Sequence, residues 1–230
     1  MKILITGDKG FIGSEVSKTF KKNIPEGQFY SLRRQNNNNS SHELTLKDIN
    51  SFKFDLIINC AGKNGNKESV YENNLLFVVK LLESVKPNKS LLFIHLSSYG
   101  IYNSITDKEV KLKQQSVKTL DNYENSKYLC DNYISNKNFN HLIVYPSNVL
   151  KMNNFKLKIA NSLLSKIFHL NINCITPDVL SQRIFNEYEN VKNLNEEKIR
   201  RKIYISEAKT YKSILAINLD GSIFHKILLR

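Results

Sequence analysis

Tyr123 and Lys127 stand four residues apart in Tyr123-Glu-Asn-Ser-Lys127. On a helix, that spacing puts both side chains on one face. An ammonium beside a phenol favours the phenolate and lowers its pKa. At about 4 Å and an effective dielectric of about 20, the attraction is on the order of 4 kcal/mol. That is enough to bring a phenol of pKa about 10 toward the range useful for proton transfer. The same spacing recurs at Tyr133/Lys137 and Tyr188/Lys192. Tyr133 lies roughly 15 Å further along the same helix, at about 1.5 Å per residue. Tyr188 has no strand-end serine before it. Tyr123 does, because Ser90-Leu-Leu-Phe-Ile-His-Leu96 reads as a buried strand that ends at Ser97-Ser98.

The elements that must position these groups begin with the first thirteen residues. Ile3, Leu4 and Ile5 form a short apolar run, as in a strand covered on both faces. It stops at Gly7-x-x-Gly10-x-x-Gly13, and an amphipathic pattern through Phe11, Ile12, Val16 and Phe20 begins at once. A strand feeding a helix through glycines points backbone N–H groups and a positive helix end at one spot, a site for a phosphate or pyrophosphate. Three spaced glycines also suit a plain strand–turn–helix; their place at the junction favours a dinucleotide. A second strand, Gln28 to Leu32, is followed by Arg33-Arg34 and no acid, then by the polar run Asn36 to Ser41. An acid at that end would hold ribose hydroxyls and favour NAD, whereas guanidiniums suit the 2′-phosphate of NADP. Two solvated surface arginines are the alternative. A third strand, Phe54 to Gly62, ends in the small residues Cys60-Ala61-Gly62, which let a flat ligand lie close to backbone. A helix follows from Lys67 to Lys86. Strands alternating with helices predict an α/β fold with a doubly wound parallel sheet and ligands at the strands' carboxyl ends.

Composition excludes several classes. At 230 residues with 41% hydrophobic content, 12 Phe and 11 Tyr, the chain has a globular make-up and no apolar run near the roughly 20 residues of a membrane span. Met1 to Thr6 opens like a signal peptide, but Gly7 breaks the apolar segment too early. Cys60, Cys130 and Cys174 fit neither a disulfide framework nor a zinc site, and His42, His95, His141, His169 and His225 lack ligand spacing, so no metal site is assigned. A reduced cytoplasmic setting follows. The net charge of +13 suggests polyanionic partners, yet the lysines are scattered with no aromatic–basic alternation. A diphosphate-bearing small molecule is therefore favoured over nucleic acid. His95, inside a strand, reads as a buried, satisfied histidine.

Taken in order, Thr6-Gly7-x-x-Gly10-Phe-Ile-Gly13, Cys60-Ala-Gly62, Ser97-Ser98-x-x-Ile-Tyr102, Tyr123-x-x-x-Lys127 and Pro146-Ser-Asn-Val149 resemble the extended short-chain dehydrogenase/reductase family, which includes nucleotide-sugar epimerases, dehydratases and reductases. The resemblance implies a Rossmann-like domain over residues 1–150 and a short substrate-binding lobe over residues 151–230, packed on the first. It implies Tyr123 as acid/base at a carbinol or ketone carbon, Lys127 as its tuner and a hold on the nicotinamide ribose, and Ser98 as hydrogen-bond partner of the reacting oxygen. Gly7, Gly10, Phe11, Ile12, Gly13, Ala61 and Gly62 would line the dinucleotide, with Pro146 and Asn148 running past the nicotinamide. Thr45-Leu46-x-Asp48 resembles the family's adenine-side Asp-Leu-x-Asp, with Thr in place of the first Asp, and Asn74 matches its helix asparagine. A homodimer packed through the helices carrying Asn74 and Tyr123 is also implied.

The departures narrow the activity. Family dehydratases carry an Asp-Glu pair after the catalytic Ser/Thr, where this chain has Tyr99 and Gly100. No residue stands out as a second acid/base. Glu43 to Asp48 and Ala61 to Gly65 are similar to NADP-dependent 4-keto sugar reductases, though the cysteine that the bifunctional epimerase–reductases place after the serines is absent. Arg, frequent before Pro-x-Asn-Val, is Tyr145 here. A helix is expected from Phe155 to Leu170, a strand through Asn173 to Thr176 leading into another helix, and a strand from Arg201 to Ile205. The leading expectation is an NADP-dependent reductase or epimerase of a nucleotide-linked 4-keto sugar, of the kind used in polysaccharide biosynthesis. An epimerase that retains NAD and a non-catalytic dinucleotide-binding module are the alternatives.

Overall fold

A computed structural model describes residues 1–32, 43–65, 67–86, 90–105, 110–112, 120–149, 172–194, 199–205 and 207–211. Its centre is β1 (Lys2–Thr6), which leads through the glycine turn into α1 (Gly13–Asn23). Next come β2 (Gln28–Leu32), β3 (Glu43–Leu44), the short α2 (Leu46–Ile49) and β4 (Leu56–Asn59). The following helix is continuous but not uniform: α3 (Ser69–Tyr71), a π-helical turn (Glu72–Leu76), then α4 (Phe77–Ser84). After β5 (Leu92–Leu96) come a 3₁₀ turn (Tyr99–Ile101) and a small antiparallel pair, β6 (Tyr102–Ile105) with β7 (Val110–Leu112). The chain then forms α5 (Asn122–Ser135), β8 (Asn140–Pro146), β9 (Asn148–Val149), β10 (Ile172–Ile175), α6 (Pro177–Lys192), β11 (Arg200–Ile205) and β12 (Glu207–Tyr211).

Seven strands make one parallel sheet in the order β11-β8-β5-β4-β1-β2-β3. Their apolar runs are unbroken because helices cover both faces, so side chains pointing either way are buried. Ile3, Ile5, Leu56, Ile58, Ile94 and Val144 face one layer with Val16 and Phe20 of α1 and Leu180, Ile184 and Tyr188 of α6. Leu4, Ile57, Phe93 and Ile143 face the other, with Val78 and Leu81 of α4 and Cys130 and Ile134 of α5. Each fully buried Ile or Leu contributes about 1.5–3 kcal/mol, so these two layers hold the sheet flat against its helices. Strand order reverses between β1 and β4, which opens a crevice at their carboxyl ends.

The parallel doubly wound sheet is the fold expected from the sequence. The described residues beyond 150 fall into two groups. α6 packs on α1 through Phe20, Phe185 and Tyr188, and a Thr19–Ser181 hydroxyl contact of 2.7 Å ties the same helices. β11 adds the seventh strand beside β8. Both therefore pack with elements of the first 150 residues. β10 and β12 pair with β9 in a second small sheet, in the order β12-β10-β9. The strand and helix expected around Asn173 to Val179 and the strand at Arg201 to Ile205 are present; the helix expected from Phe155 to Leu170 lies outside the described residues. No helix among the described residues is long and apolar enough to cross a membrane.

Candidate active site

The glycine turn sits at the crevice. Gly7 has φ +69, and a side chain there would meet the Ala61 amide nitrogen at 2.7 Å. Gly13 is held tighter still, because the Gly7 carbonyl oxygen stands 2.1 Å from the position of its missing Cβ. The Gly10 amide donates to the Gly7 carbonyl at 2.8 Å, which closes the turn. No side chain caps the first turn of α1. The glycines thus shape a backbone cradle at the uncapped start of α1, where helix amides suit a pyrophosphate. Gly13 does more than bring helix and strand together: it accommodates the turn's own carbonyl. Phe11 is 48% exposed beside the cradle and Ile12 is half-buried.

From β4 the chain runs through Ala61 and Gly62 toward a clamp built by the π turn. The extra residue in that turn aims Asn74 inward, where it is 1% exposed. Its Oδ1 accepts from the Lys63 amide at 2.7 Å, while its Nδ2 donates to the Lys63 carbonyl and to Ser126 Oγ, both at 3.0 Å. Ser126 in turn donates to the Tyr123 carbonyl at 2.7 Å. One amide therefore fixes the loop after β4 against the first turn of α5. Asp121 caps that helix by accepting from the Glu124 amide at 2.7 Å.

Lys127, 4% exposed, donates to the Leu96 carbonyl at 2.8 Å, and its Nζ is 3.3 Å from the place a Gly62 side chain would occupy. The ammonium is thus seated between the ends of β4 and β5, one helical turn below the half-buried Tyr123. Ser98 is half-buried just past β5, and its Oγ accepts from the Gly100 amide at 3.2 Å, leaving its proton free to donate elsewhere. Tyr123, Lys127 and Ser98 accordingly gather at the carboxyl edge of the central strands, together with Gly62.

A second set of groups lies beneath them, and sequence reasoning misses it. Thr6, Asn59 and His95 are register partners on three adjacent strands and point to one face. Thr6 Oγ1 donates to Asn59 Oδ1 at 2.5 Å, and Asn59 Nδ2 donates to His95 Nδ1 at 2.8 Å. His95 Nδ1 therefore carries the lone pair, and the neutral ring places its proton on Nε2. Nε2 stands 3.7 Å from Asp131 Oδ1, and both atoms are buried without a hydrogen-bond partner. His95 is buried as expected but satisfied on one nitrogen only. Asp131 Oδ2 accepts from Ser97 Oγ at 2.6 Å. Burial pushes the Asp131 carboxyl up to about 6, against the Ser97 hydroxyl and the charge of Lys127. Burial also holds His95 well below the usual imidazole range, with Lys127 adding to the effect. The only sequence signal for Asp131 is its place four residues after Lys127, on the same helical face.

The rival tyrosines are accounted for. Lys137 lies over the Tyr133 ring at 4.4 Å, a surface cation–π pair. Tyr188 is buried against Phe20 and Phe185, and burial pushes its phenol up to about 12, the wrong direction for a base. Burial likewise pushes the Cys60 thiol up to about 12, opposed by Lys127, so it makes a poor nucleophile. Thr45 starts α2, its amide and hydroxyl both donating to Asp48 Oδ2 at 2.7 Å, which lowers the Asp48 carboxyl. Leu46 beside it is half-buried. Pro146 ends β8, and Asn148 is exposed in β9. Arg33 and Arg34 lie outside the described residues. Among the described residues no group of three or more His, Cys, Asp or Glu could hold a metal ion.

Solved structures share this architecture at low sequence identity. A UDP-glucuronic acid 4-epimerase from Bacillus cereus, in complex with UDP-glucuronic acid and NAD, matches at TM-score 0.67 and 18% identity, over 100% of this chain and 84% of that one. A UDP-N-acetylglucosamine 4-epimerase from Bacillus cereus matches at TM-score 0.67 and 16% identity, over 92% and 80%. The human epimerase family protein SDR39U1 (isoform 2) with NADPH matches at 0.66 and 13%, over 92% and 76%. No curated protein sequence matches the chain. The model of the NAD dependent epimerase/dehydratase family matches residues 3–171, more than half of the chain. With its glycine cradle and doubly wound sheet, the chain belongs to the NAD dependent epimerase/dehydratase family and is an enzyme of the extended short-chain dehydrogenase/reductase type that uses a nicotinamide dinucleotide.

Proposed function

We propose that this chain is an NADP-dependent reductase or epimerase of a nucleotide-linked sugar, acting at a 4-keto or 4-hydroxyl carbon with Tyr123 as acid/base. The observation that carries the reading is the seat of Lys127: its ammonium is fixed on the Leu96 carbonyl next to Gly62, one turn from Tyr123 and beside the strand end that bears Ser98. A bound nicotinamide supplies the hydride in reduction and takes it up in oxidation. Ser98 donates a hydrogen bond to the sugar oxygen, and Tyr123 gives that oxygen its proton or removes it. Lys127 stabilises the phenolate left on Tyr123. The turn from Gly7 through Gly10, Phe11 and Ile12 to Gly13 would hold the pyrophosphate. Ala61 and Gly62 would line the dinucleotide, Thr45 and Leu46 would serve its adenine side, Pro146 and Asn148 would border the nicotinamide, and Arg33 and Arg34 would hold the 2′-phosphate.

Oxidation of NADPH against a panel of 4-keto nucleotide sugars tests the reading. Tyr123→Phe should cut turnover by at least about 100-fold while NADPH still binds; unchanged turnover would sink the assignment. A second reading, a 4-epimerase that keeps NAD bound through oxidation and re-reduction, is supported by the likeness to 4-epimerases described with NAD. Tightly held NAD(H) in the purified protein would favour it, and preference for free NADPH would count against it.

A further inference from the structure

Among the described residues, the interior holds one buried ammonium and one buried carboxylate, Lys127 and Asp131, and they sit together. Four residues apart on α5, they share a helical face. Both also land on consecutive residues at the end of β5: Lys127 donates to the Leu96 carbonyl at 2.8 Å, and Asp131 accepts from Ser97 Oγ at 2.6 Å. Proton transfer through Tyr123 draws on the cation alone. Yet a buried charge is costly unless another offsets it, and the field of Lys127 acts on Asp131, His95 and Cys60 alike. The other groups facing Asp131 are His95 and Ser97 of β5, Cys130 of α5, Tyr145 of β8 and Lys202 of β11. Burial keeps the His95 ring neutral and the Cys130 thiol protonated. Burial also raises the Asp131 carboxyl to about 6, so it is ionised above that pH and neutral below it.

We propose that Asp131 is the internal counter-charge of the cofactor site: when ionised it offsets Lys127, and so favours the cationic, oxidised nicotinamide over the neutral, reduced one. The inference rests on the reading of Lys127 as the residue beside the nicotinamide. An ammonium alone in that place repels the oxidised ring and leaves the reduced ring unaffected. A buried carboxylate one turn further along the helix cancels part of that repulsion. Unit charges about 10 Å apart in an effective dielectric of about 20 alter a binding constant by roughly 10-fold. Asp131 acts through its field and not by contact, which makes it a positioning residue for the redox balance of the site.

The test uses the full chain and needs no sugar. NADPH and NADH are titrated by fluorescence, and the tighter of the two is carried forward. Its oxidised form is then titrated by displacement, from about pH 8 to about pH 5.5. Any 2′-phosphate titrates alike in both forms and cancels in their ratio. At about pH 8 the ratio of reduced to oxidised dissociation constants should be at least about 5-fold higher in wild type than in Asp131→Asn. Toward about pH 5.5 the wild-type ratio should fall toward the variant's, which stays flat within about 2-fold. Ser97→Ala loses the contact but keeps the charge, and should match wild type at about pH 8. Equal ratios in wild type and Asp131→Asn across the range would overturn the proposal and leave the site reading intact. Should Asp131→Asn not fold, the wild-type profile decides, because protonation removes the same charge without a substitution: a fall supports the proposal and a flat ratio overturns it. Failure of wild type to bind any of these dinucleotides would overturn both readings.

Discussion

His95 and Asp131 meet in the interior with one nitrogen and one oxygen facing each other at 3.7 Å and neither hydrogen-bonded. Their proton affinities move in opposite senses, and so do their effects on stability. The Asp131 carboxyl is raised from 3.8 to about 6, so the folded chain binds this proton more tightly than the unfolded one. Its contribution is complete below about pH 4 and is lost as pH rises through about 6, on the order of 3 kcal/mol for such a shift. His95 is held neutral by burial, so its contribution is present above about pH 6.5 and is lost as pH falls below that. In wild type the two slopes oppose each other between about pH 4 and 6. Asp131→Asn removes one of them, and its melting temperature should fall more steeply than that of wild type as pH drops from 6.5 to 4. Parallel melting curves for the two proteins across that range would refute the coupling. The glycine turn and the pairing of Tyr123 with Lys127 on one helical face were legible in the sequence because short spacings set them, and the place of Ser98 because a strand ends there. Thr6, Asn59 and Asp131 were not, since only strand register and the packing of α5 join residues so far apart in the chain.

At the scale of elements, the π turn between α3 and α4 is the part that repays attention. The sequence predicts one helix from Lys67 to Lys86, and its apolar periodicity is satisfied on either side of the turn. A single extra residue turns the following face by about 100°, but the segments on either side are too short for their periodicity to reveal the break. Its effect is large all the same, because it delivers the Asn74 amide to Lys63 and Ser126 at once. Asn74→Ala should destabilise the protein by about 1–3 kcal/mol through the groups left unpaired. It should also weaken dinucleotide binding, since the loop carrying Gly62 loses its clamp. Asn73→Ala, which removes only a bond to the Ser69 carbonyl one turn back, should leave dinucleotide affinity unchanged. Chemical denaturation and fluorescence titration with NADPH separate the two variants. Equal affinity in Asn74→Ala and wild type would mean that the clamp is not needed for the site.

On the scale of the whole molecule, α4 and α5 lie side by side, with Tyr133 Oη 3.4 Å from Glu83 Oε1 across them. The π turn leaves Leu76 46% exposed and α5 leaves Leu129 36% exposed. A homodimer packed through these helices is the expected assembly. Sedimentation should show it in wild type and show weakening of at least 10-fold in the double variant Leu76→Glu, Leu129→Glu; wild type that sediments only as monomer would defeat the expectation. The parallel sheet was legible from its apolar runs, but the return of α6 and β11 to it was not, because the sequence carries no mark of which layer a late helix or strand will join. The place of β11 has a consequence in time. β8 lies inside the finished sheet, yet one of its edges has no neighbour until Arg200–Ile205 arrive. During synthesis at roughly 5–20 residues per second, that open edge persists for seconds, and the exposed Arg200 and Lys202 that eventually border the sheet are absent for the whole of that interval. The order in which this chain leaves the ribosome therefore leaves β8 in need of shelter until its last neighbour arrives.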